Sequence, residues 1–182
     1  VNALTTDTQG SGAVAIGHSA LATQNFATAT SNYNVSVGFQ SGLAITTGFH
    51  NTFVGGFTGD ALTDADFNTA IGYAALSADT LGSKSTAIGT QALGSQNLTT
   101  ATDTFNTAVG FNAGLSVTFG TVNTLIGGLA GDALTEGNNN VAVGYAALGS
   151  DTKGDRNISI GSGSLATQNF TTSTDAYNVA IG

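Results

Sequence analysis

The side chains of this chain that could do chemistry are few and far apart. Its only histidines are His18 and His50, and it has no cysteine, so the sequence offers no His-based metal site, no thiolate and no nucleophile triad. The stretch GHSAL at 17–21 opens like the G-x-S-x-G elbow of a hydrolase but ends on Leu21, and sister stretches read GTQAL and GSGSL. GGFTGD at 55–60 and GGLAGD at 127–132 look like phosphate loops, yet no strand–loop–helix pattern surrounds them and no G-K-[ST] follows. Carboxylates recur at a spacing of 72, as Asp7, Asp79 and Asp151, as Asp60 and Asp132, and as Asp103 and Asp175. Asp60, Asp64, Asp66 and Asp79 could gather at one corner and hold Ca²⁺ through oxygen ligands. The G-G-x-G-x-D calcium repeat is missing, so the expectation is solvated turn carboxylates. The sequence therefore predicts no enzyme, no catalytic residue, no metal and no cofactor.

Composition narrows the partners. Charged residues are 8% of the chain, against about 25% in ordinary domains, and net charge is −8. Lys84, Lys153 and Arg156 are the only strong bases, too few for a nucleic-acid footprint. No apolar run reaches the ~18 residues of a membrane span, which predicts no membrane insertion by this segment. An acidic, cysteine-free, low-charge chain fits an extracellular, cell-surface or virion-fibre location. The missing initiator Met points to a processed product or an excerpt of a longer fibre.

What must position any functional group is a repeat. NTAIGYAAL at 68–76 returns as NVAVGYAAL at 140–148, and its core as NTAVG, NTLIG and NVAIG. The glycine after Ile or Val falls at 17, 38, 55, 72, 89, 110, 127, 144, 161 and 182. These close ten units: 1–17, 18–38, 39–55, 56–72, 73–89, 90–110, 111–127, 128–144, 145–161 and 162–182. Units of 17 residues alternate with units of 21 in a 72-residue super-repeat, A-B-C-D, with B the long unit. Seventeen residues cannot hold a strand–helix pair, which needs about 30. They can hold two or three short strands and tight turns. The fold class predicted is all-β: a single parallel β-solenoid of ten stacked coils, roughly 48 Å long at the ~4.8 Å strand spacing.

Columns follow from counting back from each motif glycine. Position −1 is always Ile or Val, and −3 is always Val, Thr or Ile. Position −4 is Asn in eight coils: Asn34, Asn51, Asn68, Asn106, Asn123, Asn140, Asn157 and Asn178. Stacked amides at this spacing predict a structural Asn ladder, each amide donating to the next. Alternation puts −1 and −3 on one face and Asn with the mostly alanine −2 on the other. Neither face carries charge. The sequence is read with the β-branched face lining the coil and the Ala/Gly face open to a second chain. C and D coils, with Gly in place of Leu at +4, are expected to turn that corner differently. The four extra residues of each B coil are expected to bulge outward as candidate contact loops. These carry Gln24, Asn25 and Phe26; Gln96, Asn97 and Leu98; and Gln168, Asn169 and Phe170.

NTAIGYAAL, STAIGTQAL (85–93) and NVAVGYAAL resemble the head repeats of trimeric autotransporter adhesins, and equally the NTAIGYxAL repeats of bacteriophage tail-fibre-like proteins. The resemblance covers all ten coils. It implies a left-handed parallel β-roll, three chains side by side, and surface attachment. The resulting expectation is a structural, adhesive extracellular fibre segment that self-associates as a homotrimer or end to end, with a host-surface glycan or protein as a further partner. A phage tail-fibre shaft or receptor-binding region is the alternative. An ice-binding protein is the least favoured reading, because T-x-T runs are concentrated in B coils.

Overall fold

The structure, a computed structural model, describes residues 2–182. The chain forms sixteen short strands, β1 to β16, and the described residues contain no helix. Ten three-residue strands stack into one parallel sheet. They are β2 (Val14–Ile16), β4 (Val35–Val37), β5 (Thr52–Val54), β6 (Thr69–Ile71), β8 (Thr86–Ile88), β10 (Thr107–Val109), β11 (Thr124–Ile126), β12 (Val141–Val143), β14 (Ile158–Ile160) and β16 (Val179–Ile181). Each pairs in register with the same column of the next coil, as Ile71 does with Ile88. The protein is a β-solenoid of ten coils.

The expectation of two or three strands in every coil is corrected. Each coil contributes one strand to the main sheet, and a second ladder forms only where an A coil meets a B coil. There, β1 (Gly10–Ser11) pairs with β3 (Thr30–Ser31), β7 (Gly82–Ser83) with β9 (Thr102–Asp103), and β13 (Gly154–Asp155) with β15 (Thr174–Asp175). Elsewhere, coils are joined by single hydrogen bonds at matching columns. On one such side, Thr46, Thr63, Thr118 and Thr135 each donate Oγ1 to a carbonyl one coil on.

The motif glycine is required twice over. It sits at φ between +120° and +147° in every coil, a region closed to L side chains. A Cβ there would also lie 2.2–2.5 Å from the next coil's glycine carbonyl oxygen in each of the nine inner steps. The residue at −5 is left-handed as well, whatever its type: Tyr33, His50, Phe67, Lys84, Phe105 and Val122 all lie at φ 51–63°. Between these two corners only three residues are extended, and this sets the strand length.

The core lies along the axis. Ala70, Ala87, Ala108 and Ala142 at −2 face Leu21, Leu76, Leu93 and Leu148 at +4, all fully buried. In C coils the scheme inverts, with Phe53 or Leu125 at −2. A Cβ on Gly42 or Gly59 would come within 2.9 or 2.6 Å of the Phe53 ring, so glycine at +4 is the space that Phe53 fills. The corner itself does not differ, contrary to the sequence expectation: Leu21 at φ 48° and Gly42 at φ 59° share one turn. Beside Leu125, the buried larger aliphatics of C and D coils are Ile45, Leu62, Val117 and Leu134, with Leu43 only half-buried.

Replacing Gly89 with Ala should lower stability by about 3 kcal/mol, from backbone strain and forced separation of coils. Urea denaturation followed by circular dichroism measures it, and an unchanged midpoint would contradict the stacking geometry.

Candidate interaction faces

The eight Asn side chains at −4 occupy one column, all buried except the half-buried Asn178. Their bonding differs from the predicted amide-to-amide ladder. Asn34 Oδ1 accepts the Asn51 backbone N–H at 2.9 Å, and its Nδ2 donates to the Gly48 carbonyl at 2.7 Å. The same pair of bonds recurs from Asn51, Asn106, Asn123 and Asn140. With Asn68, which bonds Gly82 and the Ser85 N–H in the same way, six of the eight amides bond to the backbone of the following coil; Asn157 and Asn178 do not. Within the column, direct Asn–Asn bonds occur at Asn51 and Asn157 only.

This column decides the faces, and it overturns the sequence reading. Asn must be inside to reach those backbone groups, and strand alternation then sends −1 and −3 outward. Position −2, of the same parity as Asn, is fully buried as Ala70, Ala87 and Ala108. Ile16, Val54, Ile71, Ile126 and Ile160 are 37–59% exposed. The β-branched face is the outer face, and the alanine face lines the coil.

At the A-to-B step the Asn ladder is broken and another device takes over. Position +7, aliphatic in C and D coils, is Asp in A and Gln in B. Asp79 is fully buried. It accepts the backbone N–H groups of Gly82 at 3.1 Å and Leu98 at 2.9 Å, and Gln96 Nε2 at 2.5 Å. Gln96 Oε1 in turn accepts Asn106 Nδ2 at 2.8 Å. Asp151 repeats this arrangement with Gly154, Phe170 and Gln168, and Asp7 with Gly10 and Gln24. Burial pushes the Asp7 carboxyl up, but the bonds from Gln24 and the backbone of Gly10, Gln9 and Phe26 outweigh it and hold it below the usual range. Asp79 and Asp151 are therefore not solvated turn carboxylates. Asp60 and Asp132 differ again: half-buried, they are pushed above the ordinary value by burial, and Asp60 Oδ1 has no partner.

The B-coil contact residues are corrected for the same reason. Gln24 and Gln96 are fully buried, Phe26 and Leu98 only 6% exposed, and Gln168 and Phe170 half-buried. Asn97 and Asn169 accept the hydroxyls of Thr80 and Thr152, as members of the threonine column, and Asn25 is exposed beside them. The exposed parts of the insertions are their tips, 27–29, 99–101 and 171–173.

The broad exposed surface is the main sheet. Its two β-branched columns are flanked at −5 by Tyr33, Phe67, Phe105 and Tyr177, and at +1 by Phe39, Tyr73, Phe111 and Tyr145, all 47–64% exposed. The sequence reading missed these rims. The available signal was an aromatic side chain placed directly before the buried Asn or directly after the motif glycine. Ten rungs high and seven positions wide, from −5 to +1, the face measures roughly 48 by 20 Å, or about 950 Å². The only bases near it, Lys84 and Arg156, lie over Phe105 and Tyr177 and pair with Asp103 and Asp175 at 2.5 Å. Lys153 pairs with Glu136 at 2.9 Å.

Among the described residues no three His, Asp or Glu side chains converge as metal ligands, and the rod has no cavity. The geometry suits contact with a flat partner. No protein-family model, curated protein or solved structure matches the chain.

Asp79→Ala should cost about 3 kcal/mol by leaving three buried donors unpaired. Asp64→Ala on the exposed corner should stay within about 0.5 kcal/mol. Paired urea titrations test the contrast, and equal effects would contradict the anchoring role.

Proposed function

We propose that this chain is a rigid segment of a structural, adhesive extracellular fibre, in which copies associate through the outer face of the main sheet. The observation that carries the reading is the uncharged β-branched strip along all ten rungs, with aromatic side chains on parts of both rims. A sheet with one face in water ordinarily alternates apolar residues inside with polar ones outside. Here neither outward column contains a charged residue. The area of about 950 Å² exceeds the roughly 800 Å² per partner of a standard stable interface. Three chains side by side, as the resemblance to adhesin and tail-fibre repeats implies, would bury these faces about a common axis. End-to-end stacking and a phage tail-fibre shaft are variants of the same reading. No catalytic role is proposed. In sedimentation equilibrium the chain should run as an oligomer. Ile71→Lys with Ile126→Lys should yield a folded monomer with an unchanged circular dichroism spectrum. A monomeric parent chain would refute side-by-side association.

One observation favours ice binding as a second reading. Thr52, Thr69, Thr86, Thr107 and Thr124 stack in register on five consecutive rungs, each beside an outward Val or Ile. Templating ice needs such a flat row on consecutive rungs, and the row lies in the −3 column rather than in T-x-T runs. On this reading the chain produces thermal hysteresis as a monomer, and Thr86→Lys abolishes it. Hysteresis equal to that of a control protein removes the reading.

A further inference from the structure

Glycine marks the places where this chain approaches itself or turns left-handed, with two exceptions. Every other glycine either lies at positive φ or would bring a Cβ to within 3.1 Å of a neighbouring atom. Gly56 and Gly128 have ordinary φ, and a Cβ there would meet nothing nearer than 3.8 Å and 3.7 Å respectively. Neither the backbone nor packing within the chain asks for glycine at these positions. A side chain would even favour the fold, by restricting the unfolded state.

Both stand in the +1 column, at one rim of the outer face, and that column alternates. With the rungs of the main sheet numbered 1 to 10 along the chain, even rungs carry Phe39, Tyr73, Phe111 and Tyr145, 47–62% exposed. Beyond His18 on rung 1, odd rungs carry Gly56, Thr90, Gly128 and Ser162. The rim is a row of aromatic teeth two rungs, or about 10 Å, apart. Small residues on the odd rungs keep the notches between them open.

We propose that two copies of the chain meet antiparallel on this face, with rung 5 of each opposite rung 6 of the other. Tyr145 of one copy then enters the notch at Gly56 of the other, and Tyr73 enters the notch at Gly128. Phe111 falls on Thr90, and Phe39 on Ser162. Each contact is made twice, as a two-fold axis requires. Along the opposite rim the cations fall on rings of the facing copy, Lys84 on Phe105 and Arg156 on Tyr33. Between the rims, Thr69 faces Thr124 and Thr86 faces Thr107.

Stiff, straight rods meet at one separation, so opposed side chains must add to a constant size. A tooth against a notch meets that condition along this rim. A slip by one rung sets Tyr73 on Phe111 or on Tyr145. Registers an even number of rungs away repeat the match but bury less of the face. Parallel chains in step set the two rims against each other, with Phe67 on Tyr73 and Phe105 on Phe111. The face offers each copy about 950 Å², above the roughly 800 Å² per partner of a standard interface. The proposal rests on association through this face and specifies the partner's orientation and register.

The test is a set of distances between copies, measured by pulsed electron paramagnetic resonance. The chain has no cysteine, so Thr28→Cys, Thr100→Cys and Thr172→Cys each accept a single spin label. All three sites are exposed tips of B insertions, at one column on rungs 2, 6 and 10. Antiparallel copies separate like labels along the rod by about 34, 5 and 43 Å respectively, on top of a shared lateral distance. Three unequal distances, shortest at Thr100, are expected. Parallel copies, two or three, give one distance at all three sites. That result overturns the proposal and leaves the fibre reading standing, whereas a monomeric parent chain in sedimentation sinks both. Gly56→Leu with Gly128→Leu, where the chain itself has room for a Cβ, should weaken association at least about tenfold with an unchanged circular dichroism spectrum. Undiminished association of this variant also overturns the proposal.

Discussion

One close approach governs this molecule. At every inner step a motif glycine passes the next coil's glycine so closely that a methyl group would overlap its carbonyl oxygen. Five residues earlier the chain turns through a left-handed residue, and the Asn that follows bonds to the backbone of the next coil. Together these fix rise, register and the direction of every side chain between them. With Asn inside, the alternation of three residues leaves no choice for the rest. The placement of aromatic and β-branched side chains on the outside is a consequence of hydrogen bonding within.

Much of this was legible in the sequence. Ten in-phase glycines allow only one stacking unit, and both the coil boundaries and the register follow from their spacing. The faces were not legible, because the usual cue is charge on the wet side and neither parity of these strands carries any. Volume gave a misleading answer, since β-branched residues look like core. The deciding fact was the hydrogen-bond demand of Asn, which outweighs the burial of a valine: an amide enclosed without partners costs roughly 1–3 kcal/mol per group. Gln24, Phe26, Gln96 and Leu98 were misread for a related reason. An insertion looks like an outward loop until the buried Asp of the preceding coil is seen to hold it down.

The fold carries considerable local strain. Left-handed conformations occur at Leu76, Phe105 and even β-branched Val122, each costing on the order of 1–2 kcal/mol relative to an extended residue. A single coil could not sustain this. In a solenoid the stabilising contacts lie between neighbours, so strain within a coil is offset only when coils are stacked. The strained residues recur at fixed columns, where inter-coil hydrogen bonds over-determine the backbone. Residue identity at −5 is then almost free, and the column holds Tyr33, His50, Lys84, Val122, Asn139 and Arg156.

That freedom makes the outer columns informative. The inner ones are pinned: Asn by its bonds, Ala by the leucine opposite, Gly by the next coil. Nothing inside the rod asks the −1 and −3 positions to be apolar, since Thr sits at −3 in five coils and Val or Ile in the other five with the same pairing. Lys or Glu at alternate rungs would extend equally well and would keep the surface solvated. An uncharged exterior over ten rungs is thus not a by-product of folding. The cations point the same way: Lys84 and Arg156 sit at the rim, laid over an aromatic ring and paired with a carboxylate, where they leave the strip itself flat and neutral. On the proposed association through this face, the strip's uncharged composition is set by the chain it meets, because the fold leaves it unconstrained.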